Sequence, residues 1–234
     1  DPLKYFDNNV CKFIKLLEVM KSYECKNIIF SSTCSTYGIP QNIPITEKTP
    51  QNPINTYGQS KVICEQMLNC MHNIYNFNVI ILRYFNVAGA YIDNNLIVGE
   101  NHNPETHLIP LAIKALMNNQ IFNVYGTDYE SIDGTCIRDY IHVEDLADAH
   151  ILSLGKHGIY NLGSENGYSV NEILNLIQEI SGNKLNIKNC ERRIGDPAIL
   201  YANSDKFKTE FGWEPKHNIQ SIIKTALLWH KQIN

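Results

Sequence analysis

The 234-residue chain is 44% hydrophobic and carries 20 lysines and arginines against 24 acidic residues, a formal charge of −4. A chain of this kind buries a substantial core, and its basic residues are scattered rather than clustered, which argues against a nucleic-acid partner. No apolar run approaches the ~18 residues of a membrane span and no charged-then-apolar leader opens the sequence, so a cytoplasmic protein without a membrane partner is expected.

Asp1 stands where a natural start would have Met, and a helical pattern follows almost at once, so the sequence reads as cut at its N-terminus. Val10, Phe13, Ile14, Leu17 and Met20 recur at helical spacing and predict an apolar helix face. Asn27 to Ser32 is a short apolar run closed by hydroxyl residues, the pattern of a parallel strand buried on both faces. A loop with Pro40, Pro44, Pro50 and Pro53 follows. Residues Tyr57 to Tyr75 then read as a helix with Met67, Leu68, Met71 and Tyr75 turned inward, and Asn78 to Tyr84 as a second buried strand. This alternation belongs to a doubly wound α/β sheet. Past Gly89 the connections lengthen, with a helix over 108–118, short strands near 122–125 and 136–141, and a Ser169–Glu172 capping box whose helix closes at Gly182. A last helix runs from about Ile219 to Lys231. The seven cysteines (Cys11, Cys25, Cys34, Cys64, Cys70, Cys136, Cys190) form an odd set without a C-x-x-C pair and are expected to be reduced core residues. The histidines show no metal-ligand spacing, so no metal site is expected.

Tyr57 and Lys61 are four apart and therefore share one face of a helix. A phenol is a poor base near neutrality, but a neighbouring ammonium favours the phenolate. Thr33, at the end of the preceding strand, could bond the same substrate oxygen. These three are the expected proton-transfer unit.

Ser31-Ser32-Thr33-Cys34-Ser35-Thr36-Tyr37-Gly38, Tyr57-Gly58-Gln59-Ser60-Lys61 and Arg83-Tyr84-Phe85-Asn86-Val87-Ala88-Gly89 follow one another in the order of signatures of the extended short-chain dehydrogenase/reductase family. Pro104 to Pro110, Tyr125 to Tyr129, Asp133 to Val143, Tyr160 to Gly163 and Arg192 to Asp196 extend the match. The chain resembles that family, and within it the sugar-nucleotide 4-epimerases. The resemblance implies the C-terminal part of a Rossmann-like doubly wound parallel sheet plus a smaller α/β substrate-binding lobe. Residues 1–90 would be a partial NAD-binding domain, and 91–234 mainly a UDP-sugar-binding lobe interleaved with returning Rossmann elements.

It further implies inversion at C4 of UDP-glucose and UDP-galactose with tightly bound NAD. Tyr57 would be the base, Lys61 would hold the nicotinamide ribose and Thr33 the sugar 4-oxygen, with Asn8 and Phe85 as further cofactor contacts. Tyr84, Asn86, His107, Leu108, Asn123, Val124, Tyr125, Arg138, Arg193, Asp196 and Leu200 fall at substrate-contacting positions, with Arg138 and Arg193 the cations for phosphate oxygens. Asp139 and Tyr140 are expected to brace the loop carrying Arg138, and Trp213 and Trp229 to serve packing. A homodimer paired through the helices near 9–21 and 57–75 is expected. Cys34 and Ser35 stand where dehydratases of the group place an acid, which disfavours that chemistry, and a sugar-nucleotide epimerase for N-acetylated hexoses or pentoses remains an alternative, as does a non-catalytic dinucleotide-binding member. Nothing resembles the G-x-x-G-x-x-G turn that seats the cofactor pyrophosphate, so the chain as written is expected to be a fragment that neither binds NAD nor turns over.

Overall fold

In the computed structural model, which describes residues 1–193 and 195–233, the chain forms eight α-helices and eleven strands among the described residues. Helical structure starts earlier than the apolar pattern indicates. Asp1 accepts from Lys4 N and Pro2 sits in the first turn, both favourable at a helix start, so α1 (Pro2–Phe6) runs through a π-turn at Asp7–Cys11 into α2 (Lys12–Ser22). Val10, Phe13, Leu17 and Met20 face the core. Ile14, at the margin of that stripe, is 40% exposed.

β1 (Asn27–Thr33), α3 (Thr56–Tyr75) and β2 (Asn78–Tyr84) follow. Asn55 caps α3 by accepting from Gly58 N, and Asn76 ends it in the left-handed conformation. Tyr75 does not turn inward. It stands exposed near the helix end, with Lys21 Nζ 4.1 Å from its ring centre. Then come β3 (Asn86–Ala88), the antiparallel hairpin β4 (Ala90–Asp93) and β5 (Leu96–Gly99), α4 (Leu108–Met117), β6 (Ile121–Tyr125), β7 (Ile137–His142) and α5 (Val143–Leu152). β8 (Gly158–Leu162), β9 (Gly167–Ser169), α6 (Val170–Ser181), β10 (Asn186–Cys190), β11 (Ile199–Leu200), α7 (Asp205–Phe211) and α8 (Ile219–Ile233) complete the chain. The Ser169–Glu172 capping box and the Gly182 stop are both present at the ends of α6.

The main sheet is parallel, in the order β1-β2-β8. β2 explains why its sequence is continuously apolar: Val79 and Ile81 pack towards α2 and α3 with Leu17, Cys64 and Leu68, whereas Ile80 and Leu82 pack towards α5 and α7 with Leu146, Phe207 and Trp213. Each such side chain contributes about 1.5–3 kcal/mol of burial. A Rossmann-like sheet is thus joined to a smaller lobe, in which β3, β7, β9 and β11 form a second sheet and β6 pairs with β10. The lobe's core is Ile109, Ile113, Ile173, Ile177 and Ile223 from α4, α6 and α8. All seven cysteines are free, but only Cys34, Cys64 and Cys136 are buried; Cys11, Cys25 and Cys70 lie on exposed helix faces or turns. No helix is long and apolar enough to cross a membrane.

A buried ion pair ties helix to sheet. Arg83 Nη2 lies 2.5 Å from Glu65 Oε2, with both side chains at most 5% exposed. Glu65 also accepts from Ser32 Oγ and Gln51 Nε2, and Arg83 donates to Tyr37 Oη at 3.0 Å. Removing one member leaves a buried charge unpaired, which typically costs about 3–5 kcal/mol. Arg83→Met is therefore expected to lower unfolding free energy by about 3–5 kcal/mol in denaturant titrations, with the double substitution Glu65→Leu/Arg83→Met recovering part of the loss. A loss under about 1 kcal/mol for the single variant would contradict this account.

Candidate active site

The carboxyl ends of β1 and β2 open into a cavity of about 790 Å³, the usual place for ligands of parallel α/β sheets. Thr33 ends β1 and caps a short turn over Cys34–Thr36. The first turn of α3 seats directly on that turn: a Cβ on Gly58 would lie 2.5 Å from Ser35 O and 3.0 Å from Pro53 Cβ. That approach sets Tyr57 beside Thr33, and both line the cavity with Cys34, Tyr84, Phe85 and Asn86. Thr33 Oγ1 accepts from Ser35 N at 3.1 Å, so its O–H remains available as a donor.

One helical turn below Tyr57, Lys61 Nζ donates to Ser31 O at 2.9 Å and lies 4.9 Å from the centre of the Phe30 ring. It is 5.8 Å from the centre of the Tyr57 ring. Burial lowers the Lys61 pKa. Burial also pushes the Tyr57 phenol up to about 12; the neighbouring Tyr84 adds to the rise and the Thr33 hydroxyl opposes it. This differs from the lowering expected of the Tyr–Lys spacing. Lys61 is turned onto the Ser31 carbonyl and is not among the groups that set the phenol, where desolvation of the phenolate dominates.

The remaining sequence candidates divide between two cavities. His107, Tyr84, Phe85, Asn86, Arg138, Asp196 and Leu200 line the first. Leu108, Asn123, Val124, Tyr125, Arg193 and again Asp196 line a second, of about 470 Å³. Burial along β6 alternates, so Val124 packs in the core while Asn123 and Tyr125 are exposed. Arg193 lies over the Tyr125 ring, 4.3 Å from its centre. Arg138 and Asp196, read from sequence as two separate ligand contacts, form an ion pair with each other. His107 Nδ1 is 2.5 Å from Glu100 and 3.0 Å from Glu105, and the bond to Glu100 does most to push its pKa up to about 9. Asn8 is exposed and accepts from Lys12 Nζ, and Lys61 and Asn8 border neither cavity.

Asp139 does not brace the arginine loop. Its carboxylate accepts from Ser164 N and Oγ, Glu165 N and Ala202 N, which joins the segments after β8 and β11. Trp213 donates to Asp145 O within a core, whereas Trp229 donates to Glu100 O and so holds the end of the β4–β5 hairpin. The Glu65–Arg83–Tyr37 network and the acidic partners of His107 were not singled out in the sequence. For Glu65 a signal existed, since it lies one further turn along the Tyr57–Lys61 face.

The pattern of the NAD dependent epimerase/dehydratase family matches residues 1–163. The UDP-glucose 4-epimerase of Lactobacillus helveticus is 46% identical over 238 residues, covering 98% of this chain and 72% of that protein. Two solved structures are also similar. UDP-glucose 4-epimerase from Brucella ovis in complex with NAD has a TM-score of 0.93 at 43% identity, covering 98% of this chain and 72% of the other. The enzyme from Bifidobacterium longum in complex with NAD+ and UDP has a TM-score of 0.92 at 37% identity, covering 99% and 71%.

The phenol geometry is open to direct titration. Ultraviolet difference spectra between the protein and Tyr57→Phe should show no tyrosinate signal from Tyr57 up to about pH 10.5, where an ordinary phenol is largely ionised. Because the folded-state pKa is raised to about 12, the stability that Tyr57 contributes is complete below about pH 10 and is lost as pH rises towards the folded value. A Tyr57 transition centred below about pH 10 would contradict the buried, unassisted phenol.

Proposed function

The chain belongs to the NAD dependent epimerase/dehydratase family, and from that premise we propose that it serves the reversible inversion at C4 of UDP-glucose and UDP-galactose through a 4-keto sugar. It is an isomerase of nucleotide sugars with NAD as cofactor. The observation that carries the mechanism is the convergence of Thr33 and Tyr57 on one cavity, with Lys61 Nζ 5.8 Å from the centre of the Tyr57 ring.

The residues present suit the cofactor. Lys61 makes one hydrogen bond, to Ser31 O, and an ammonium carries three donors, which leaves it two for the nicotinamide ribose beside the Tyr57 hydroxyl. The Phe85 N–H is engaged with Leu162 O, so Phe85 would offer its carbonyl, and Asn8 its amide N–H groups. When bound, NAD supplies the hydride acceptor and donor at C4 and a positive charge beside the phenol. With that charge added to that of Lys61, Tyr57 would take the proton of the sugar 4-hydroxyl and, after the sugar has turned, return it to the same oxygen. The Thr33 O–H donates to the 4-oxygen and keeps it within reach of Tyr57 while the sugar turns.

Phosphate recognition falls to Arg138 and Arg193. The Arg138–Asp196 pair lines the main cavity, so a diphosphate that took the place of Asp196 as partner of Arg138 would keep the guanidinium paired and free the carboxylate for ribose hydroxyls. Dehydratase chemistry fits less well. Burial pushes the Cys34 thiol up to about 12, and the carboxylates lining the cavity are Glu100 and Asp196, neither of them adjacent to Thr33 in the chain.

Residues 1–90 would supply most of the cofactor domain and 91–234 mainly the substrate lobe, a division supported by β8 returning to the β1-β2 sheet. A homodimer through α2 and α3 is supported by the exposed Leu16, Val19 and Ile74, and a cytoplasmic setting by seven free thiols. In the natural protein, Tyr57→Phe is expected to lower turnover by about 10²–10⁴-fold while calorimetric binding of UDP-glucose changes little. Unchanged turnover would remove Tyr57 from the mechanism.

A further inference from the structure

Histidine spacing along the chain gave no metal motif, yet the segment between β5 and α4 folds four ligand-bearing side chains into one cluster. The ligand atoms of Glu100, His102, Glu105 and His107 all lie within 4.8 Å of one another. His102 Nδ1 is 2.8 Å from Glu100 Oε1 and 3.9 Å from Glu105 Oε1. His107 Nδ1 is 2.5 Å and 3.0 Å from the same two oxygens.

Backbone bonds hold the cluster in place, while across its centre the imidazoles of His102 and His107 face the two carboxylates, His107 Nδ1 bonding Glu105 Oε1. Trp229 Nε1 donates to Glu100 O at 2.8 Å, and Glu105 Oε1 accepts from Thr106 N and His107 N at 2.8 and 3.0 Å. The other oxygen of the same carboxylate is left without a donor. The Glu105 side chain is 4% exposed, and its Oε2 has no hydrogen-bond partner. A buried carboxylate oxygen without a donor is costly, and a cation held by this carboxylate would compensate the charge that Glu105 Oε2 carries unpaired. We infer that Glu100, His102, Glu105 and His107 form a site for one divalent cation of the Zn²⁺ class at the mouth of the main cavity.

The donor set selects that class. Two imidazole nitrogens with two carboxylates suit zinc and its first-row neighbours, whereas magnesium and calcium take oxygen ligands. A tetrahedral ion with bonds of about 2.1 Å separates its ligands by about 3.4 Å. The two imidazole–Glu105 separations, 3.0 and 3.9 Å, straddle that value. The two to Glu100, 2.8 and 2.5 Å, are shorter, so the less buried Glu100, at 19% exposure, must withdraw by less than about 1 Å to reach it. Glu100, His102 and His107 also line the main cavity, so the ion would fix the loop that leads into α4. The other such cluster, His142, Glu144 and His217, carries no comparable case. His142 is fully buried with its two nitrogens on Thr225 Oγ1 and Glu144 N, and its ring is stacked on His217.

The test is titration of the metal-free protein with Zn²⁺ against a chromogenic chelator, together with thermal unfolding. One equivalent is expected to bind with a micromolar or lower Kd and to raise the unfolding temperature. His102→Ala and Glu105→Gln should each weaken binding at least tenfold and abolish the thermal shift, without altering the circular dichroism of the metal-free protein. If Glu105→Gln fails to fold, the exposed His102 decides alone. Absence of a saturable equivalent, or equal affinity in the protein and in His102→Ala, would overturn the site. The second result would move the metal to the exposed Cys11, Cys25 and Cys70 or to the stacked His72–His157 pair.

Discussion

The close seating of α3 on the turn after β1 is the contact on which the rest depends. It tolerates no side chain at Gly58, and from it the face of α3 runs down the sheet as Tyr57, Lys61 and Glu65, each one helical turn apart. Each rung meets a partner at the end of a parallel strand. Tyr57 meets Thr33, Lys61 meets the Ser31 carbonyl, and Glu65 meets Ser32 and Arg83. Moving the helix by one turn would break all three, so the pairing of Tyr57 with Thr33 and the buried ion pair are two consequences of one packing arrangement.

The same network continues away from Tyr57 and Thr33. Arg83 donates to Tyr37 Oη, which donates to Asn161 Oδ1 at 2.6 Å, and Asn161 Nδ2 donates to Ile45 O at 2.9 Å. Ile45 N in turn donates to Tyr201 O, next to Leu200 at the cavity wall. Buried polar chains of this kind are weak sources of net stability but exacting about geometry, since each unsatisfied member is heavily penalised. Here they link the end of the β1-β2-β8 sheet to a wall of the main cavity by hydrogen bonds rather than by apolar contact alone.

What was legible in the sequence was what is local or periodic. The strands at 27–33 and 78–84, the helix after Asn55 and the capping box at Ser169 are set by neighbours within one or two turns. The Tyr57–Lys61 spacing belongs to the same class. Long-range pairings were not legible: Arg138 with Asp196, Asp139 with Ser164 and Ala202, and Glu65 with Arg83 are made by the fold, and nothing in the local pattern of either partner names the other. Cysteine burial failed for a related reason. Composition describes the residue type, whereas Cys11, Cys25 and Cys70 follow the exposed faces on which their neighbours place them.

The sign of the Tyr57 shift has the same origin and a consequence for catalysis. A spacing argument sees one charge, Lys61, and concludes that the phenol is acidified. The folded site adds the desolvation imposed by burial, the neighbouring Tyr84 and the buried Cys34, and the phenol is held neutral. A buried phenolate with no substrate oxygen to protonate would be an uncompensated charge in a low-dielectric pocket. Under the proposed mechanism, a phenol kept neutral by burial would become a base only when a second positive charge, that of bound cofactor, joined Lys61. Lys61 would then act less as the agent that lowers the pKa than as half of a pair, and the burial that opposes ionisation would also confine proton transfer to the loaded site.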